Sequence, residues 1–595
     1  MNKTNKKSGR SRFSRKKIAD FYHESTDKVG KHFSDNFISR IQNAHEVRLW
    51  IIEWVLLIVV VFLFAVVQSM WYGDSYHVDA FVKGGDYTEA VLGEVNSMNP
   101  LYAATNAEKT LSRLLFANLV SPDNSGHIKG ELAKNVKMDN TGRVWTITLR
   151  DNIFWSDGEP ILADDVIYTI DLIRDRTAKT TISVDFSHIE TKKINDKTVE
   201  FTLPSTYVDF VDSLEFPVVP KHILGNISPA LVYESDFSTH PVCSGPFILN
   251  AMQAANVTNL NTQTIYLNRN TKYFLSDSKL DTFTLKTYKK REDIIEALNA
   301  SEATATAELT NESTEKLRKG ISSRESLLNG GVFAFINTKS DNLSNRYIRQ
   351  AISQGVNMEK VRENIDESQI LNYPILERQE SLKYPELTKY NLKSAKELIA
   401  KAEYKYNKQG KILDKEGLPV TLNIAVQKRD TITDVAERFA EELKTLGFEV
   451  SLNIYDESQT TADFFTTIVR PRDYDILFYE VNLGVSADPF VYYSSTQATA
   501  GGWNFSNYSN GLVDDALLSA HTTTNMNIRK AKYEYFLKTW VLDVPAIAIY
   551  QSSLKYYYES NVQIYSENLQ MTDVLDRFND VRYWASEKRS VNVTP

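Results

Sequence analysis

A chain of 595 residues is longer than one hydrophobic core fills, and 42% hydrophobic with 24% charged residues are the proportions of a globular protein, not a disordered one. The net charge of −8 is unevenly spread: residues 1–48 hold 12 Lys+Arg against 5 Asp+Glu, leaving 56 basic and 71 acidic residues beyond. An acidic body argues against nucleic-acid phosphate as a partner, and a single cysteine, Cys243, excludes an intrachain disulfide and a Cys-built metal site.

Residues 1–53 read as a basic leader. Residues 54–71, W-V-L-L-I-V-V-V-F-L-F-A-V-V-Q-S-M-W, carry no charge over 18 positions. At about 1.5 Å per residue a helix of that length spans roughly 27 Å, a bilayer core. Tryptophans at both ends suit the interfacial belt, and the basic leader favours a cytoplasmic N-terminus. No A-x-A-like site follows Ala65, so an uncleaved signal-anchor is expected over a cleaved signal peptide. Residues 72–85, with Gly73, Gly84 and Gly85, read as a linker.

Within 144–166, V-W-T-I-T-L-R-D-N-I-F-W-S-D-G-E-P-I-L-A-D-D-V, the alternation of Trp145, Ile147 and Leu149 predicts a half-buried strand. Ser156-Asp157-Gly158 is turn chemistry, and Ala163-Asp164-Asp165 opens a helix carrying Val166, Ile170 and Ile173. Residues 332–336 are a continuous apolar run, expected of a strand buried on both faces. Tyr347, Ala351, Ile352 and Val356 then recur at helical spacing. Strict alternation at 420–426 and 448–454 flanks a helix with Ile432, Val435, Phe439 and Leu443 on one face, ended by Gly447, which predicts a βαβ unit. A helix near 458–469, a strand over 474–480 and an apolar strand at 545–550 follow. Ligands of such open α/β sheets bind beyond the strand C-termini.

The words of 144–166 resemble the signature W-x-F-x-L-R-x-x-x-x-W-S-D-G-x-P-[LF]-[TN]-A-x-D-V of the extracellular solute-binding proteins of ABC importers, peptide/nickel-receptor family. Asn99-Pro100-Leu101, P-V-V-P-K-H-I-L at 217–224, Ser244-Gly245-Pro246-Phe247, residues 265–270 and residues 345–353 are similar to further family markers. Cys243 and Ser244 replace the usual Gly-Thr. The resemblance covers about 91–550. It implies an α/β, two-lobed periplasmic-binding-protein type II fold with a small inserted lobe, preceded by one transmembrane helix. Its expected partition is a discontinuous first lobe of 86–117, 237–328 and 541–595, an inserted lobe of 118–236 and a second α/β lobe of 329–540.

No H-E-x-x-H, G-x-S-x-G, Walker A loop or close His/Cys cluster occurs, so no catalytic residue, metal site or cofactor is expected. Cys243 has no partner base identifiable from spacing, and His222 reads as structural. Four residues stand as ligand-binding candidates. Many peptide receptors of this family bind the ligand's ammonium with an aspartate about three residues before an Asp-Pro pair. Here Val485-Ser486-Ala487 precede Asp488-Pro489 without a carboxylate. Glu480, at a strand end, is the nearest substitute, set against a solvated strand-end charge. Asp488 is the second choice, set against a helix cap. Trp503 and Asn504, in an aromatic, Asn-rich loop, are set against packing. The resemblance implies a monomeric receptor outside the membrane that passes an oligopeptide or similar small solute to ABC permease subunits. Sugar oligomers, metal chelates or a sensor without transport coupling are the alternatives.

Overall fold

A computed structural model describes residues 48–592 apart from 183, 185, 258–259, 310–315 and 457–462. Most of the basic leader, and the first half of the helix expected at 458–469, lie outside the described residues; Phe465–Val469 form a π-helical turn. The chain divides into two units, Phe81–Glu587 and the remainder at its two ends.

In the terminal unit the helix Arg48–Tyr76 outruns the apolar 54–71 stretch at both ends. Its apolar side chains are exposed throughout, from Trp50 to Trp71. The expected linker is shorter than 72–85, because His77–Phe81 is a strand paired with Lys588–Asn592.

In the large unit a four-stranded sheet runs in the order Ala133–Met138, Val144–Leu149, Thr198–Thr202, Glu190–Asn195. Trp145 lies opposite Phe201 and Ile147 opposite Val199, all buried, so the period-2 pattern faces a core. That core is continuous: it joins these residues to Tyr87, Leu111, Phe283 and Trp584, across the expected boundary between first and inserted lobes.

Two short hairpins, Val120–Pro122 with Ile128–Gly130 and Lys405–Tyr406 with Ile412–Leu413, stand apart from one ten-stranded sheet. Its order is Glu449–Tyr455, Thr421–Gln427, Ile476–Asn482, Ile321–Ile336, Ala546–Glu559, Ala305–Thr306, Asp86–Leu92, Thr282–Tyr288, Leu260–Arg269, Phe247–Val257. The first three are mutually parallel, with helix Asp430–Leu446 as the crossover from Thr421–Gln427 to Glu449–Tyr455. Gly447 ends that helix at φ +114°, where a Cβ would stand 2.6 Å from the Gly410 carbonyl oxygen. In Ile321–Ile336, Val332, Ala334 and Ile336 pack into one core while Phe333 and Phe335 pack into another on the opposite face. This 16-residue strand runs antiparallel to Ala546–Glu559 from Ile321 to Phe335. Their pairing shifts register between Leu327 and Gly331.

Candidate functional site

The signature stretch is a fastener. Ser156 Oγ accepts from Cys243 N at 2.9 Å while Ser156 N donates to the Cys243 carbonyl at 2.8 Å, locking two turns together. Asp157 Oδ2 lies 2.8 Å from His222 Nε2. Asp165, buried, accepts from Leu162 N and from Lys221 N, each at 2.8 Å. The W-S-D-G turn, the 217–224 segment and the Cys243-Ser244 turn are therefore one hydrogen-bonded junction. Burial pushes the Cys243 thiol up to about 12, so it stays a protonated, inert thiol.

The strand C-termini open onto two adjoining cavities, of about 870 and 280 Å³, which share Glu480, Ser552 and Val574. The larger has Ala307 and Leu309 on the first-lobe side, Glu363–Gln369 and the 431–438 face of helix Asp430–Leu446 on the second, and Tyr550–Lys555 of the crossing strand along its floor. Its walls are acidic, with Glu325, Glu363, Asp366, Asp434 and Glu480 against Arg438 and Lys555. Arg429, between the end of Thr421–Gln427 and that helix, lines the smaller cavity. This is the place at which open α/β sheets hold ligands.

Of the four residues expected to bind ligand, the structure brings only Glu480 to these walls. Its carboxylate is exposed but partnered: Oε1 accepts from Ser552 Oγ and Oε2 lies 3.4 Å from Arg429 Nη1. Asp488 is half-buried with its side chain largely covered, accepting from Phe490 N at 3.0 Å and pairing with His521 Nδ1 at 2.6 Å. Asn504 is fully buried, and its amide serves its own loop, donating to the Ser494 and Tyr508 carbonyls and accepting from Tyr508 N. Trp503, 39% exposed, packs on Phe465 and Phe505.

A second set of contacts joins the 207–212 segment to residues 486–529. Arg529 holds Asp209 with two hydrogen bonds of 2.9 and 2.7 Å, buried on both sides. Tyr207 stacks on His521 at 4.2 Å, and Phe490 stacks on His521 at 4.7 Å. Asp212 Oδ2 accepts from Ser486 N at 3.0 Å, while its Oδ1 is enclosed without a hydrogen-bond partner. Burial, and then the charge of Asp209, push the Asp212 carboxyl up to about 6. Asp212 thus brings a carboxylate to Val485-Ser486-Ala487, where the sequence has none. Nothing local could reveal it, since Asp212 and Ser486 are 274 residues apart. Arg429 was findable, because it follows a parallel strand and precedes its crossover helix.

Residues 127–503 match the family profile of the bacterial extracellular solute-binding proteins, family 5 Middle. The chain belongs to that family. It is 24% identical over 523 residues to the oligopeptide-binding protein AppA of Bacillus subtilis, covering 85% of this chain and 92% of AppA. The structure of AppA in complex with a nonapeptide superposes with a TM-score of 0.67 at 22% identity, over 85% of this chain and 99% of that one. NikZ from Campylobacter jejuni, in complex with Ni(L-His), does so with a TM-score of 0.67 at 22% identity, over 84% and 99%. The fold is accordingly the two-lobed α/β type II periplasmic-binding-protein fold. The family is one of solute receptors, and the acidic cleft at the strand ends is the receptor's candidate binding site.

Proposed function

We propose that the chain is a membrane-tethered receptor that captures oligopeptides in the interlobe cleft and hands them to the permease subunits of an ABC importer. The observation that carries this reading is the cleft itself. It lies at the C-termini of parallel strands, is walled by two lobes that share two crossing strands, and is acidic enough to draw in an ammonium group. The likeness to AppA, an oligopeptide-binding protein over most of both lengths, supports a peptide. Two carboxylates compete for the ammonium, Glu480 on the cleft wall and Asp212 beside Ser486. The exposed apolar helix supports the tether, since a continuous run of exposed Leu, Val, Ile and Phe is stable only in lipid. The body acts as a monomer, with its N-terminus cytoplasmic and its cleft outside. Mass spectrometry of solutes released from the purified protein should yield peptides with free amino termini; sugar oligomers or metal chelates alone would overturn the ligand class.

A further inference from the structure

The second lobe contains another cavity, of about 550 Å³, that the interlobe site does not use. Its walls are largely apolar, with Met358, Leu387, Tyr390, Trp540, Val541 and Ile547 among them. The extended segment 381–391, which has no helix or strand, contributes Leu387–Tyr390 as a strap along one side. On the wall stands Arg362. Its guanidinium donates only to neutral acceptors: the Leu371 carbonyl at 2.7 Å, the Ala548 carbonyl at 2.8 Å and Asn372 Oδ1 at 3.4 Å. Its Nε is enclosed with no acceptor at all. Among the described residues no carboxylate pairs with it. Glu359, the one acidic residue of the wall, is exposed and makes no ion pair with it. Burial alone pulls this guanidinium down to about 10.

A desolvated cation without a counter-ion is costly to hold, and the cost falls when an anion is delivered to it. Nη2 already serves the Leu371 and Ala548 carbonyls and Nε is enclosed, so a carboxylate would reach the guanidinium through Nη1, in place of its long 3.4 Å bond to Asn372 Oδ1. The cavity is of a size that holds small molecules, and Arg362 shares its wall with Lys389 and Glu359 among mainly apolar side chains. We propose that this cavity is a second ligand site, which takes a small apolar molecule bearing one carboxylate, with Arg362 as the anchor of the charge. The occupant would rest on Ala546–Ala548 of the crossing strand, whose later residues Tyr550–Lys555 floor the interlobe cleft.

Aromatic and alkyl acids share this chemistry, so the test uses 4-phenylbutyrate and octanoate, each beside its uncharged amide. The full chain is placed in lipid nanodiscs, and saturation-transfer NMR is corrected against empty nanodiscs. At least one acid should bind about ten-fold more tightly than its amide. Arg362→Gln should bring that acid to the level of the amide, and Val541→Trp, which fills the apolar end without touching the charge, should remove both. Equal binding of acid and amide by the unaltered protein would overturn the proposal without any variant. Affinity that survives Val541→Trp would overturn it as well, by placing the acid elsewhere.

Discussion

Glu480 reaches the cleft already engaged by Ser552 and Arg429, so an incoming ammonium has to take the place of Arg429 beside it. If Glu480 is the ammonium partner, Glu480→Gln weakens a free-amine peptide by about 2 kcal/mol or more, the cost of breaking such a pair. An N-acetylated peptide should be nearly unaffected. Calorimetry with both peptides decides: equal losses, or none, remove Glu480 from the role, and a loss specific to the free amine in Asp212→Asn transfers it. Asp212 also makes lobe contact depend on pH. Its proton is held more tightly while it contacts Ser486, at about 6, than at the ordinary 3.8. The penalty for closing is thus absent below pH 3.8, grows as pH rises to about 6 and is constant above. At about 1.4 kcal/mol per pKa unit it reaches roughly 3 kcal/mol. Asp209, Arg529, Tyr207, His521 and Asp488 surround the site, so the comparison with Asp212→Asn isolates this carboxyl. Small-angle scattering should show the unaltered protein more compact at pH 5 than at pH 7.5, and the variant with a smaller difference. An unchanged difference would rule Asp212 out.

The elements on which the sequence was most informative are those whose side chains face a core at a fixed period. The βαβ unit of 421–455, its Gly447 stop and the both-faces-buried run at 332–336 were all legible that way. The first half of Ile321–Ile336 was not, because Ser322, Ser323, Arg324 and Glu325 are polar and only partly covered. That half is a strand because Ala546–Glu559 pairs with it from more than two hundred residues away, and no local pattern encodes such a partner. The loop holding Trp503 and Asn504 shows the opposite difficulty. Its polar, aromatic composition suits a ligand, yet the amide of Asn504 closes its own loop. The signature stretch was readable as an element but not as a junction. Its role there gives a prediction separable from binding. Asp165→Ala strips the acceptor from the part-buried N–H groups of Leu162 and Lys221, at about 1–2 kcal/mol each. Chemical denaturation should show a loss of about 2–4 kcal/mol with peptide affinity intact at conditions where the protein is folded. A variant of normal stability would show that the junction is not held there.

At the scale of the molecule, the fold class and the apolar segment were legible because composition, charge and periodicity agreed, whereas the contacts between lobes were not, since they join residues such as Asp209 and Arg529, 320 positions apart. The orientation of the chain across a membrane rests on two observations that do not depend on those contacts. Residues 1–48 of the leader carry 12 Lys+Arg against 5 Asp+Glu, and positive charge is retained on the cytoplasmic side. The following helix presents apolar side chains over Trp50–Trp71, with mean hydropathy 2.9, long enough to cross the bilayer. Together they support the proposed orientation, with the leader inside and the body outside. Protease added to intact protoplasts should therefore digest the body and leave a protected fragment that contains the leader and the helix. Lysed protoplasts should lose the leader too. Digestion of the leader in intact protoplasts would reverse the orientation. A soluble mature form that begins after Trp71 would instead show that the helix is a signal peptide removed on export, and that the receptor works untethered.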